Sequence, residues 1–429
     1  MTNLSSKRLL TFLLIVISKT FVLAQDSDAL LNRCASTELD ALTISRYPAL
    51  QNLRLKSEEA IQKRIKANKT SLRTNADEII TIPVVVHVVH SKEDKTVGGQ
   101  GNANITDAQI QNQIDVLNED YGNASGYKGF YTDSLGVDTG IRFKLVTIVR
   151  TFNEKEQFSP ITDADQLAEI SPAWLTNRYL NIWVCRLSDR YLGTSQFPVV
   201  TELNDLTAGL STAEDEALRS LTDGVIIDFR YFGRNSPAIT SSVYNLGRTT
   251  THEVGHWLGL IHIWGDRNCG TDHCEDTPTA FTKNETTDVS CTPVFSECRG
   301  VKTRNMIENY MDYSPDVCMS VFTNDQKERM HAVLELSPRR AKLVEYSKIT
   351  GEDLLVELYP NPVSETLTAN VFTPNFQLFT VEIINQRGQR MISGATNMSY
   401  LEVSKFPSGL YYYKVSSGGQ TVTKRFIVR

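Results

Sequence analysis

The chain has no stretch of about twenty unbroken apolar residues, the length that a membrane-spanning helix needs, so no span is expected in the mature protein. The nearest approach is residues 9–17, which follow Lys7 and Arg8 and are cut short by Lys19. A brief apolar run behind two basic residues, leading to Val22, Leu23 and Ala24, reads instead as a secretory signal peptide over residues 1–24. No cysteine follows that run directly, which argues against a lipoprotein start. Excess positive charge is missing too: 44 Lys and Arg stand against 50 Asp and Glu, net −6, and nothing points to nucleic acid as a partner. Histidine is scarce, with seven in 429 residues, yet three of the seven fall inside residues 252–262.

His252 and His256 are four residues apart, so on a helix both imidazoles leave one face a turn apart and can grip one metal ion. Glu253 sits between them. Gly259 offers φ > 0, allowing the helix to end there and turn back to bring in His262 as a third ligand. The spacing is H-E-x-x-H-x-x-G-x-x-H. A lone HExxH could be an amphipathic helix with surface histidines, but five fixed positions should coincide by chance with odds on the order of 10⁻⁵. Three neutral histidines suit a tetrahedral Zn²⁺ with its fourth position open to water, the arrangement of a catalytic rather than a structural site. Glu253 is then free to act as general base on that water, whose pKa the metal lowers to about 7.

This stretch resembles the metzincin clan of zinc metalloproteases, whose pattern it matches at every fixed position. Asn309-Tyr310-Met311-Asp312-Tyr313 follows as a Met-containing turn. With Gly265-Asp266, the Asp276-Thr277-Pro278 loop and Cys318-Met319, the chain is similar to the pappalysin family, and to its bacterial ulilysin-like branch, over roughly residues 80–335. The resemblance implies an α/β (α+β) catalytic domain in which a twisted mixed sheet lies above a cleft floored by the zinc helix. It makes Met311 an apolar floor, and Tyr313 a hydrogen-bond donor to the developing oxyanion. It also makes Asp316 an acidic wall of the S1′ pocket, which predicts cleavage on the amino side of Arg or Lys. Asp272, Glu275, Asp276 and Thr277 form a loop rich in hard oxygen ligands, and the resemblance implies Ca²⁺ there. The implied disulfides are Cys291–Cys318 and Cys269–Cys298, leaving Cys185 and Cys274 either paired or reduced. An edge strand of the sheet should pair with extended substrate, and residues 193–196 are the candidate.

A chain of 429 residues exceeds what one core usually covers, so two or three folded units are expected. Residues 25–73 are polar and read as helix with few large apolar groups, most simply a propeptide. It contains Arg33-Cys34-Ala35-Ser36, with the only cysteine before the catalytic unit. A thiolate is a good zinc ligand, so Cys34 is expected to fill the open position in a latent form, as in the cysteine switch of ulilysin-like zymogens. Leu72-Arg73-Thr74 is a plausible maturation point.

The catalytic unit, residues 74–345, opens on a β-branched strand at residues 79–89, with Pro83 near its start. His87 and His90 there read as packed or edge histidines. Further strands are expected at residues 141–145, 179–185 and 224–229, a helix capped by Thr106, and a closing helix over residues 323–334. After the boundary at Gly351-Glu352-Asp353, residues 351–429 alternate in short strands and form an all-β sandwich. It resembles a type IX secretion sorting domain through Tyr359-Pro360-Asn361-Pro362, Gly409 with Tyr411, and a basic end. That implies the type IX machinery as partner and export through the periplasm to the medium or cell surface. An adhesive or sugar-binding sandwich is the competing account. The expected function is a secreted, latent zinc endopeptidase acting on proteins or peptides. The alternative is a catalytically inactive metzincin scaffold serving as a surface adhesin.

Overall fold

The computed structural model describes residues 31–70, 79–126, 129–200, 221–349 and 353–429. The signal peptide, the Leu72-Arg73-Thr74 maturation point and the Gly351-Glu352 boundary lie outside them. β1 (Ile80–His90) is buried along nearly its whole length, as its continuous β-branched run requires of a strand covered on both faces. It pairs in parallel with β2 (Ile141–Phe152) on one side and β3 (Leu180–Cys185) on the other. Pro83 has no N–H to give. It is accommodated because pairing with β3 begins only at Val84, and the register with β2 shifts between Val84 and Val85. β4 (Gly193–Ser195) lies antiparallel to β5 (Gly224–Asp228) at the edge, giving the order β2-β1-β3-β5-β4. The sheet is mixed, as expected. His87 is buried and hydrogen-bonds Ser171 and Asn181 at 2.9 and 3.0 Å, a packed histidine rather than a ligand.

N-terminal to the sheet lie α1 (Ser36–Arg46) and α2 (Ala49–Thr70). The apolar residues of α2 are too few for a core of their own, and Ala60, Ile61 and Ile65 pack instead on Val200, Ala332 and Val333. α3 (Asp107–Tyr121) starts at Thr106, whose hydroxyl accepts from the Gln109 N–H, and buries Ile110, Ile114, Val116 and Leu117. α4 (Thr132–Leu135) and α5 (Ala164–Ile170) are short.

α6 (Arg248–Trp257) is buried at every residue, and Val254 and Trp257 share one core with Val84 and Val86 of β1. Two buried carboxylates fix its ends. Asp120 on α3 accepts from Thr251 Oγ1 at 2.7 Å and from Tyr310 Oη at 2.9 Å. Asp223, just before β5, accepts from Trp257 Nε1 at 3.0 Å and takes both ends of the Arg340 guanidinium at 2.7 Å. That guanidinium lies 3.7 Å from the centre of a Trp257 ring. α7 (Asn324–Leu336) begins with a complete capping box between Thr323 and Gln326, and α8 (Pro338–Ile349) carries Arg340.

Disulfides Cys269–Cys298 and Cys291–Cys318 cross-link the loop-rich region after α6, which holds the hairpin β6 (Phe295–Cys298) and β7 (Val301–Arg304) and a short 3-10 turn at Asp316–Cys318. Both pairings are those the resemblance implied. Cys185 and Cys274 are separate buried thiols. The C-terminal region folds as two sheets over one core. One contains β8 (Leu355–Tyr359), β9 (Thr366–Phe372) and β12 (Tyr400–Glu402). The other contains β10 (Thr380–Asn385), β11 (Arg390–Thr396), β13 (Gly409–Ser417) and β14 (Gln420–Val428). Among the described residues no helix is long and apolar enough to cross a membrane.

Candidate active site

α6 carries His252 and His256 on one face, and Gly259 at φ 89° turns the chain back. A Cβ at Gly259 would also meet Val333 Cγ2 at 2.6 Å, so glycine is required twice over. The turn brings in His262, and the three Nε2 atoms lie 3.1 to 3.2 Å from one another. Each Nδ1 faces an acceptor: Tyr310 O at 2.7 Å for His252, Leu260 O at 2.8 Å for His256, and the Asp266 carboxylate for His262. With the ring protons committed to Nδ1, three bare Nε2 lone pairs converge with no hydrogen between them, an arrangement that a cation stabilises. Tetrahedral Zn–N bonds of about 2.0–2.1 Å set the nitrogens about 3.3 Å apart, so the donor set fits Zn²⁺. Burial pushes His256 down to about 3, keeping it neutral as a ligand must be.

Glu253 is fully buried between the two helical histidines. Its Oε2 accepts from Ser36 Oγ at 2.8 Å, and its Oε1 has no partner. Burial pushes its carboxyl up to about 8. Two glycines allow close approach here. A Cβ at Gly193 would meet Glu253 Cγ at 2.9 Å, and one at Gly255 would meet the Met311 sulfur at 2.5 Å. Met311 is therefore packed directly under the helix, between the two histidine positions.

Cys34 Sγ joins the three histidines in a group whose ligand atoms all lie within 4.8 Å of one another, the one such group among the described residues. Its segment runs parallel to the sheet edge. Asn32 N donates to Arg190 O, Leu192 N to Asn32 O and Ala35 N to Gly193 O, each at 3.0 Å, and Ser195 N donates to Ser36 Oγ at 2.8 Å. Residues 193–196 thus include the edge that receives an extended chain. Tyr313 Oη donates to the Cys34 carbonyl at 3.4 Å. Arg33, 1 % exposed, reaches Asp316 Oδ1 at 3.4 Å and Ser314 O at 3.2 Å, and lies over the Tyr244 ring at 4.7 Å. The other Asp316 oxygen accepts from Leu246 N at 2.9 Å.

The acidic loop is arranged differently. Thr277 Oγ1 is spent on both Asp272 oxygens, at 2.9 and 2.8 Å, and Asp276 Oδ2 accepts from Asp325 N at 2.9 Å. Asp276 Oδ1 is buried without a partner, and burial pushes Asp272 up to about 7.

Known proteins share this architecture. The family profile described as pregnancy-associated plasma protein-A, a peptidase family, matches residues 169–335, and that of a secretion system C-terminal sorting domain matches residues 357–429. An extracellular metalloprotease of Colletotrichum graminicola is 30% identical over 288 residues, 66% of this chain and 86% of that protein. One from Arthroderma benhamiae is 32% identical over 256 residues, 58% of this chain and 76% of the relative. The chain belongs to the pappalysin family. Among solved structures, a promirolysin mutant from Tannerella forsythia has 34% identity and a TM-score of 0.58, covering 74% of this chain and 98% of that one. Mirolysin in complex with a compound has 37% identity and a TM-score of 0.51, covering 63% and 97%. This pappalysin is accordingly a zinc metalloendopeptidase, and its sorting tail marks it as secreted or surface-borne.

Several residues that serve the pappalysin site have little signal in the sequence. Asp266, four residues after His262, could have been found from that spacing as the usual carboxylate behind a ligating histidine. Trp264, stacked on His262 at 4.3 Å, and Ser36 on Glu253 could not. Nor could Asp120 and Asp223, which act on α6 from distant parts of the chain.

Proposed function

We propose that this chain is the latent precursor of a secreted zinc endopeptidase that cuts proteins on the amino side of Arg or Lys. The observation that carries the reading is the seating of Arg33-Cys34, with a guanidinium against Asp316 and a thiol beside the three histidines. His252, His256 and His262 hold the metal. Bound Zn²⁺ supplies Lewis acidity, polarising the scissile carbonyl and acidifying a water. Glu253 takes the proton from the attacking water and passes it to the leaving amine. Tyr313, whose hydroxyl already donates to a backbone carbonyl of the seated chain, donates to the substrate oxygen as charge develops there. β4 aligns the substrate backbone, Met311 supports the helix from below, and Asp316 receives the basic side chain.

In this reading residues 1–24 are the signal peptide, 25–73 the propeptide, 74–345 the catalytic domain and 351–429 the sorting domain. Export proceeds through the periplasm and the type IX machinery. Cys34 would be the further donor to the metal in the latent form, and its departure would leave the site to the three histidines and water. Calcium belongs to the same reading. The orphaned Asp276 oxygen and the raised Asp272 carboxyl are what a nearby Ca²⁺ would relieve, with Thr277 in the same loop. The inactive-adhesin alternative has no observation in its favour, since Glu253 and Tyr313 both stand at the histidine cluster.

Mass spectrometry of the purified enzyme after incubation with a denatured protein tests the proposal, because it reads the enzyme's own new termini and the cut sites together. Cuts before Arg and Lys, with residues 25–73 lost from the active species, are expected. Undiminished proteolysis by Glu253→Ala, or cuts before apolar residues, would sink it.

A further inference from the structure

β1 has two buried faces, and only one belongs to the active site. Val84 and Val86 turn toward α6, whereas Val85 turns the other way, into a separate cluster with Tyr179, just before β3, and Tyr346 from α8. Val146 and Val149 of β2, with Trp174 and Leu175, complete the walls of this cradle. What fills it comes from the sandwich: Phe376, on the turn that follows β9, is buried there, and Phe372 at the end of β9 packs alongside. Tyr346 meets the Phe372 ring at 5.7 Å and the Phe376 ring at 5.6 Å, and Lys144 Nζ lies 5.8 Å from the Phe376 ring centre.

Arg178 locks the two units together. It is 5% exposed, and among the described residues both of its side-chain hydrogen bonds go to the sandwich, to Val371 O at 2.7 Å and to Asn370 Oδ1 at 2.9 Å. Its guanidinium lies 5.2 Å from the Tyr346 ring centre and 5.3 Å from that of Phe372, so it faces one ring from each unit. Withdrawing the sandwich would remove both acceptors from a buried cation and expose the aromatic lining of the cradle. Both effects oppose release.

We propose that the C-terminal sandwich is a docked subunit rather than a tethered tail, and that it stays bound in this cradle after the connection at residues 350–352 is cut. The cut fragments would then stay together as two non-covalent chains, meeting on the face of the sheet opposite the histidines.

The test uses the full-length chain carrying Glu253→Ala, to silence self-cleavage, with a recognition site for a sequence-specific protease inserted at residues 350–352. After cutting, the two fragments should co-elute from a sizing column at micromolar concentration, and Arg178→Ala should weaken their association at least about tenfold. Separation of the cut fragments without any cradle mutation would overturn the proposal. Association unchanged by both Arg178→Ala and, from the other side, Asn370→Ala with Phe376→Ser would overturn the cradle as its cause. Circular dichroism of each variant before cutting verifies that it has folded.

Discussion

Arg33 and Asp316 face each other at 3.4 Å with 1% of either side chain exposed, so the N-terminal segment brings a buried positive charge against a buried negative one beside the histidines. Replacing Asp316 by Ala should lower kcat/KM for peptides with Arg at P1′ about 30- to 1000-fold, the cost of leaving a buried charge without its partner. Peptides with an apolar P1′ residue should be much less affected. A peptide library profiled on both forms measures this, and an apolar P1′ preference in the unaltered enzyme would refute the assignment of Asp316.

Glu253→Ala should remove proteolysis by several orders of magnitude while the protein still retains about one zinc per chain, because the three histidines stand without it. Casein hydrolysis and metal analysis on the same preparation check both halves.

Cys34→Ala should yield a precursor that matures faster, since the thiol that sits with the histidines is gone while the rest of the segment remains. Following the loss of residues 25–73 on gels over time gives the answer. Unchanged latency and maturation would eliminate the switch.

Asp223→Ala should destabilise the protein by about 3–5 kcal/mol in urea unfolding, because it leaves Arg340 buried and unpaired and frees the end of α6. The pH dependence follows from the same contacts. Burial raises the Asp223 carboxyl, but Arg340 and Arg339 outweigh it and hold the group below the usual carboxylate range. A lowered folded pKa contributes stability that is present above the unfolded value of about 3.9 and is lost as pH falls through the folded one. The unaltered protein should therefore lose stability on acidification in that range more steeply than the variant.

Mild removal of calcium should lower both Tm and activity if the loop around Asp272 and Asp276 holds the ion. Differential scanning calorimetry before and after titration with a calcium chelator decides it, and indifference would remove calcium from the account.

The metal site was legible because its information is local: two histidines a turn apart, a glycine that permits φ > 0, and a third histidine within reach. Cys34 was singled out by donor chemistry and by resemblance, without any knowledge of where its segment lies. Asp120 and Asp223 were not legible, because a carboxylate that fixes a helix from another element has no periodicity and no fixed spacing. β4 is only Gly193–Ser195, too short for alternation to reveal, and so was found through resemblance. Arg33 looked like a mere neighbour of the thiol until folding brought Asp316 to it from 283 residues away. The β-branched run of β1 foretold two covered faces, but nothing in it said that the second cover would be the C-terminal sandwich.

The direction in which the N-terminal segment threads the cleft bears on timing. With Arg33 against Asp316 and Cys34 at the histidines, the linkage nearest the histidines is on the carboxyl side of the arginine, the wrong side under the proposed preference for cutting ahead of basic residues. If the proposed latency holds, the seated segment would have to be cut by another molecule, and each molecule so freed could then free its neighbours. A dilute population would remain silent through a lag and then ignite, with the lag shortening as concentration rises.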